Sequence, residues 1–371
     1  MNPEMEDPSH QLRADAFRRI TPAILDWYER HRRKLPWRDH PTPYQVWVSE
    51  VMLQQTQVGT VMPYYQRFLA EFPNTAALAE APLDRVLKVW ENLGYYSRAR
   101  HMHRAAGQMM AHYGGRVPDA WDEIKALPGV GDYIAGAVLS IAYGKRVPAV
   151  DGNVRRVLGR IFAIETPIDT GPGQARIRSL AAELLPESEP GAFNQGLMDL
   201  GAAICTPKHP ACPSCPVQSC CRARRAGLEN TLPVKSKRRP VPHRPATAAV
   251  IRDRSRRLLV LKRPGSGLLG GLWKWPGGEQ RAGEDLKACL RRNVRRELGV
   301  QVRVGPLVTV VRHQYTHFRL TLHVFQATRT RGAPTALACA EWRWIPWSDL
   351  DRLAFSKADR LVLEAVRNQA G

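Results

Sequence analysis

The chain has 371 residues, room for two or three domains, and its 44% hydrophobic and 24% charged content is an ordinary globular balance that excludes a disordered chain. Its 55 Lys and Arg against 34 Asp and Glu leave a net charge of +21, an excess that is costly in self-repulsion unless a polyanion meets it, which points to nucleic acid. No run approaches the ~18 apolar residues of a membrane span, and the acidic opening MNPEMEDPSH lacks the apolar core of a signal peptide, so neither a membrane partner nor a leader is expected.

From Ala14 to about Arg225 the patterning is helical. Periodic stretches at Tyr44–Gln57, Leu83–Trp90, Arg98–His112, Tyr133–Tyr143 and Asn153–Phe162 are separated by Gly and Pro, and residues 14–226 are expected to form an all-α domain. Residues 227–245 follow as a basic, Pro-rich linker of extended character, either a solvated tether or one that lies along phosphates. Beyond Pro245 the pattern changes to short strands, at Ala246–Arg252, Arg257–Lys262, Leu307–Arg312, Arg319–Thr328 and Glu341–Pro346. Amphipathic helices at Asp285–Leu298 and Ala358–Asn368 accompany them. Residues 246–371 are therefore expected to form an α+β domain.

Five of the seven cysteines fall between residues 205 and 221, a local site and not a secreted disulfide framework. Cys205, Cys212, Cys215 and Cys221 are spaced C-x6-C-x2-C-x5-C, and four thiolates at this spacing serve a tetrahedral zinc or the corners of an iron–sulfur cube equally well. Cys220 is the spare. Leu127-Pro128-Gly129-Val130-Gly131 is a tight turn between helical segments, with backbone N–H groups that either cradle a phosphate or merely join two packed helices.

Two carboxylates stand out. Asp151, in Ala149-Val150-Asp151-Gly152-Asn153, precedes a helix and reads as an N-cap. Glu50 lies in Val46-Trp47-Val48-Ser49-Glu50-Val51-Met52-Leu53, so it is either part of a solvent stripe with Gln54 and Gln57 or desolvated with a raised pKa. In the C-terminal half Gly278-x5-Glu284-x7-Arg292-Asn293-Val294-Arg295-Arg296-Glu297-Leu298-Gly299-Val300 has Nudix-box spacing, but Asn293 and Arg296 replace two of its glutamates. Magnesium needs clustered hard oxygens, so a Nudix fold without pyrophosphohydrolase chemistry is expected.

Together the cysteine spacing, the run LPGVGDYIAGAVLSIAYGKRVPAVDGNVRRV (127–157), the stretch WVSEVMLQQTQV (47–58) and the Nudix-like tail resemble MutY-type adenine DNA glycosylases. These belong to the helix-hairpin-helix superfamily that includes endonuclease III. The resemblance implies a [4Fe-4S] cluster on Cys205, Cys212, Cys215 and Cys221, in a loop at about 205–221. It implies Glu50 as the general acid at adenine N7 and Asp151 as the carboxylate beside the sugar, with Tyr133 and Asn153 assisting. Bifunctional relatives carry a lysine where Tyr133 stands, and a tyrosine cannot form a Schiff base, so base removal without efficient lyase chemistry is expected.

The same resemblance places Gly129 and Gly131 at a DNA phosphate, Arg38 and Gln195 at the adenine, and Gln55, with Thr56 beside it, and Tyr95 in the gap that the extruded base leaves. Tyr315-Thr316-His317 stands where many relatives read 8-oxoguanine with Phe-Ser-His. The implied partner is duplex DNA with adenine·8-oxoguanine or adenine·guanine mispairs, bound by a monomer in a bacterial, nucleoid-associated cytoplasmic setting. Other glycosylases of this fold, a non-catalytic iron–sulfur regulator and a hydrolase of free nucleotides are the alternatives. The first is disfavoured by Glu50 and the tail, the second by the Glu50–Asp151 pair, the third by the degraded box.

Overall fold

A computed structural model describes residues 8–236 and 240–368, with side chains from Phe17 onward. Lys237, Arg238 and Arg239 of the expected linker lie outside the described residues. No helix among those described is long and apolar enough to cross a membrane. The chain divides into two compact units, Met1–Ala79 with Arg104–Arg238, and Glu80–His103 with Arg239–Gly371.

The first unit is helical. Helix Pro43–Leu53 starts with a full capping box, in which Thr42 and Gln45 satisfy each other's backbone N–H, and with Pro43 in the first turn. Every residue from Val46 to Met52 is buried, the mark of a helix covered on all sides. It ends at Leu53, and Gln55 takes a left-handed φ of 55°, so the expected helix to Gln57 is broken four residues early. The stripe Glu50–Gln54–Gln57 therefore does not exist: Gln57 caps the next helix, Val58–Glu71. Helices Asp132–Tyr143, Gly152–Ile161, Gly171–Leu184 and Pro190–Ala203 join Pro8–His31 around a core of Ile20, Ile24, Val154, Leu158, Ile177, Phe193 and Leu197. A Cβ on Gly136 would stand 2.2 Å from the Pro148 carbonyl. Only glycine allows this approach, which lays the Pro148–Asp151 segment against helix Asp132–Tyr143.

The first part of the expected tether is docked, not free. Val234 accepts from Ile168 N at 3.1 Å, and Ser236 is held by Asp169 through both its backbone N–H (3.0 Å) and its hydroxyl (2.6 Å).

In the second unit, β1 (His243–Ile251), β2 (Leu258–Lys262), β3 (Trp273–Lys274), β4 (Gly277–Glu279), β5 (Gln301–Gln314), β6 (Arg319–Arg331) and β7 (Glu341–Ile345) form two sheets, ordered β4-β1-β6-β5 and β3-β2-β7. β1 runs parallel to β6 and antiparallel to β4. Period-two alternation sends Ala246, Ala248 and Val250 toward helix Lys357–Asn368, and Ala249 and Ile251 toward helix Leu286–Leu298. The Gly- and Pro-rich run that forms β3 and β4 carries no strand pattern, because these two- and three-residue strands rest on pairing alone.

Segment 80–103, read along the chain as part of the helical domain, packs within this second unit. The reason is a polar network around Glu91, whose side chain is 10% exposed. It accepts from Arg360 Nε (2.7 Å), Phe355 N (2.8 Å) and Lys88 Nζ (2.6 Å). Asp84 pairs with Lys262 at 2.6 Å, and Arg100 donates to the Gly270 carbonyl at 2.8 Å. Removing one partner of a buried ion pair strands the other. Arg360→Met is expected to cost about 3 kcal/mol, at the lower end for such losses because Lys88 remains. Chemical denaturation, with an unchanged slope, measures it.

Candidate active site

Glu50 sits near the end of the fully buried helix, 5% exposed. Burial raises its pKa to about 7, helped by the Asp151 charge and opposed by the Tyr133 hydrogen bond and by Arg38. The Tyr133 hydroxyl, in the first turn of Asp132–Tyr143, donates to Glu50 Oε2. Burial and the two neighbouring carboxylates push its own pKa well above 10, so it stays a donor.

Asp151 caps helix Gly152–Ile161. Its Oδ1 accepts from Val154 N at 2.7 Å, and its Oδ2 from Asn153 Nδ2 at 2.8 Å. Burial raises its pKa, and those two donors pull it back. The capping reading and the site reading are thus both met by one side chain. Asn153 accepts in turn from Arg156 Nη2 at 2.8 Å, and Arg156 Nε donates to the Cys205 carbonyl at 2.7 Å.

Arg38 lies in the segment before the helix that carries Glu50. Its fork closes on Asp199, Nη1 to Oδ2 at 2.6 Å and Nη2 to Oδ1 at 3.0 Å. Arg33 Nε reaches the same Oδ1 at 2.8 Å. The Arg38 Nε is buried without a partner. Asp199 is the residue that the sequence reading missed; an acid within Gly196-Leu197-Met198-Asp199-Leu200, on an otherwise buried helix, was the available signal. Gln195, one turn earlier, is half-buried and bonds back to the Gly191 carbonyl at 3.3 Å.

The hairpin turn has Gly129 at φ 80°, a left-handed position that favours glycine. Gly131 is the N-cap of Asp132–Tyr143, with no side chain closing that helix end. Gln55 is exposed and Thr56 half-buried, in the turn between two helices.

Tyr95 belongs to the second unit. Like Gln55 it is left-handed, with φ 46°. Its ring lies 5.2 Å from the Arg98 guanidinium, and its hydroxyl bonds to Thr316 Oγ1 at 2.7 Å. Thr316 and His317 are exposed at the tip between β5 and β6, whereas Tyr315 turns inward and stacks on Phe318 at 4.7 Å. In the Nudix-like box the remaining carboxylates are taken: Glu284 by Arg292 (2.6 Å), Glu297 by Lys274 (2.6 Å) and Gly277 N (2.9 Å).

Cys205, Cys212, Cys215 and Cys221 line one cavity together with Arg160 and Arg224. Cys220 is not on its wall and instead packs into the helical core. Among the described residues no three His, Cys, Asp or Glu side chains are gathered as they would be around a single metal ion. Four thiols spread over the wall of one cavity fit a multi-atom group that takes one sulfur at each corner. Arg160, 2% exposed, adds a cation that donates to Cys205 Sγ at 3.3 Å and to the Thr206 carbonyl at 2.6 Å.

Residues 48–186 match the HhH-GPD superfamily base excision DNA repair protein model, and residues 247–365 match the NUDIX domain. The human adenine DNA glycosylase is 33% identical over 408 residues, covering 94% of this chain and 74% of that protein. Its fission yeast (Schizosaccharomyces pombe) counterpart is 32% identical, covering 94% and 90%. Among solved structures, a thermostable thymine-DNA glycosylase is 30% identical with a TM-score of 0.54, over 57% of this chain and 98% of its own. With both domains matched and full-length relatives above 30% identity, the chain belongs to the adenine DNA glycosylase family.

Proposed function

We propose that this base-excision-repair glycosylase removes adenine from adenine·8-oxoguanine and adenine·guanine mispairs in duplex DNA, by hydrolysis and without efficient strand cleavage. The observation that carries the chemistry is Glu50, a buried carboxyl with its pKa raised to about 7, hydrogen-bonded by Tyr133 and flanked by Asp151. Adenine leaves poorly as an anion, so it must be protonated as the glycosidic bond breaks. A raised-pKa acid is suited to that step, and an ionised carboxylate to the developing sugar cation.

In this reading Glu50 gives its proton to adenine N7. Asp151, held by Val154 and Asn153, faces the oxocarbenium, and Tyr133 keeps the Glu50 carboxyl oriented. The orphaned Arg38 Nε–H suits an acceptor on the extruded base. Extrusion costs a few kcal/mol and needs a plug, for which Gln55 and Tyr95, both on left-handed turns, are the candidates. Thr316, tied to Tyr95, supports a reader of the opposite base at the exposed tip with His317. The charge of +21 supports strong, salt-dependent phosphate binding, by a monomer. The four cavity cysteines would hold a [4Fe-4S] cluster, which supplies a structural cross-link of the 205–221 loop.

Single-turnover excision from duplexes carrying adenine opposite 8-oxoguanine, guanine or thymine, read after alkali treatment, tests this. The expected order is 8-oxoguanine, then guanine, with thymine inert; equal rates on all three would remove the mispair reading. Glu50→Gln is expected to abolish adenine release and keep duplex binding.

The same variant has a stability signature. The Glu50 pKa is raised from 4.5 to about 7, so the native state resists its ionisation and loses stability as pH rises from about 4.5 to about 7. At pH 8 Glu50→Gln should therefore be more stable than the parent by about 3 kcal/mol, and at pH 4 no different; urea titrations at both pH values measure it. For the cluster, iron analysis should find about four irons per chain, unchanged in Cys220→Ser and lost in Cys221→Ser. Zinc without iron would overturn it.

A further inference from the structure

The Asp199 carboxylate is 1% exposed and binds two guanidiniums, yet in the proposed chemistry it touches neither base nor sugar. Its place explains what it does. Met198, its neighbour on the helix, contacts the Tyr133 hydroxyl at 3.9 Å, and that same hydroxyl donates to Glu50. Arg38, forked onto Asp199, is close enough to Glu50 for each charge to act on the other. A guanidinium never gives up its proton in a protein, so the positive charge beside the acid is permanent, and it favours ionisation of Glu50.

We propose that Asp199 is a positioning residue that pins Arg38 and Arg33 and offsets their charge, so that Glu50 remains the protonated carboxylic acid that adenine release needs. Without Asp199 the Arg38 charge beside the acid would stand uncompensated; with it the guanidinium is one half of an ion pair. The remaining groups that act on Glu50 are the Tyr133 hydroxyl from helix Asp132–Tyr143 and Asp151 from the cap of Gly152–Ile161. Tyr28, whose ring lies 5.5 Å from Arg38, has its pKa raised by burial and carries no charge at neutral pH. Asp199 is the anion that binds both arginines directly. The fork also fixes how Arg38 is turned: both terminal nitrogens bond to Asp199, and Nε is left buried without a partner.

The inference rests on Glu50 being the proton donor, and the test separates the two. Full-length protein carrying carboxyl-13C glutamate, with the Glu50 resonance assigned by its loss in Glu50→Gln, reports the Glu50 midpoint directly by NMR without DNA. Asp199→Asn keeps the shape and removes the charge, so the midpoint should fall by about one unit. The alkaline limb of single-turnover excision should follow it, giving about a tenfold loss of rate at pH 8 and convergence with the parent near pH 5.5. Arg38→Met removes the cation that acts on Glu50 and should move the midpoint the other way, which keeps the test open if the Asn variant does not fold. A Glu50 midpoint unmoved in these variants overturns the role of Asp199. A midpoint that moves while the rate profile stays put leaves Asp199 as the offset and removes Glu50 as the proton donor.

Discussion

A carboxyl group enclosed on every side by protein must either stay protonated or be matched by a cation, and the first unit is built around that constraint. Helix Pro43–Leu53 is buried from Val46 to Met52, so Glu50 is largely withdrawn from water. Its surroundings supply one hydroxyl donor, one neighbouring acid and one arginine whose charge is already engaged. The outcome is an acid poised near neutrality, the range in which proton transfer to a leaving group is efficient. A fully exposed glutamate would be ionised there, and one paired directly with Arg38 would be a permanent carboxylate.

The second carboxylate shows how one side chain serves structure and chemistry together. Asp151 satisfies a free N–H at the start of its helix, and the same bond fixes the direction of its carboxylate. Asn153 holds the other oxygen, Arg156 holds Asn153, and Arg156 also grips the Cys205 carbonyl. The aspartate is thereby joined to the cysteine loop by an unbroken series of hydrogen bonds. The proposed site and the proposed cluster loop therefore share their supports.

In the second unit a NUDIX framework is present without a set of free carboxylates at its box. Glu284 and Glu297 are each bound to a cation, so they act as struts holding helix Leu286–Leu298 to the sheets. What the unit presents outward is the β5–β6 tip. Its threonine is tied to Tyr95, a residue 221 positions earlier in the chain. Capture of segment 80–103 by the Glu91–Arg360 network makes that meeting possible.

Much of this was legible along the chain. The helical half, the strand-rich half, both matched families and the cysteine spacing are local patterns of period, punctuation and motif, which follow from short-range chemistry. Glu50 and Asp151 could be picked out, but from the residues alone each had a bland reading, and only packing separates a solvent-facing glutamate from a buried one. The early end of helix Pro43–Leu53 at a left-handed Gln55, the two short strands β3 and β4, and the transfer of segment 80–103 to the C-terminal unit left no local mark. Asp199 escaped for the same reason. The sequence by itself determined the family, the two folds and the inventory of reactive groups, because helix and strand periodicity and motif spacing are written in neighbouring residues. The tertiary structure alone decided which carboxyl is desolvated, which arginine is already neutralised and which hydroxyls meet, because desolvation and charge pairing depend on distances between residues far apart in the chain.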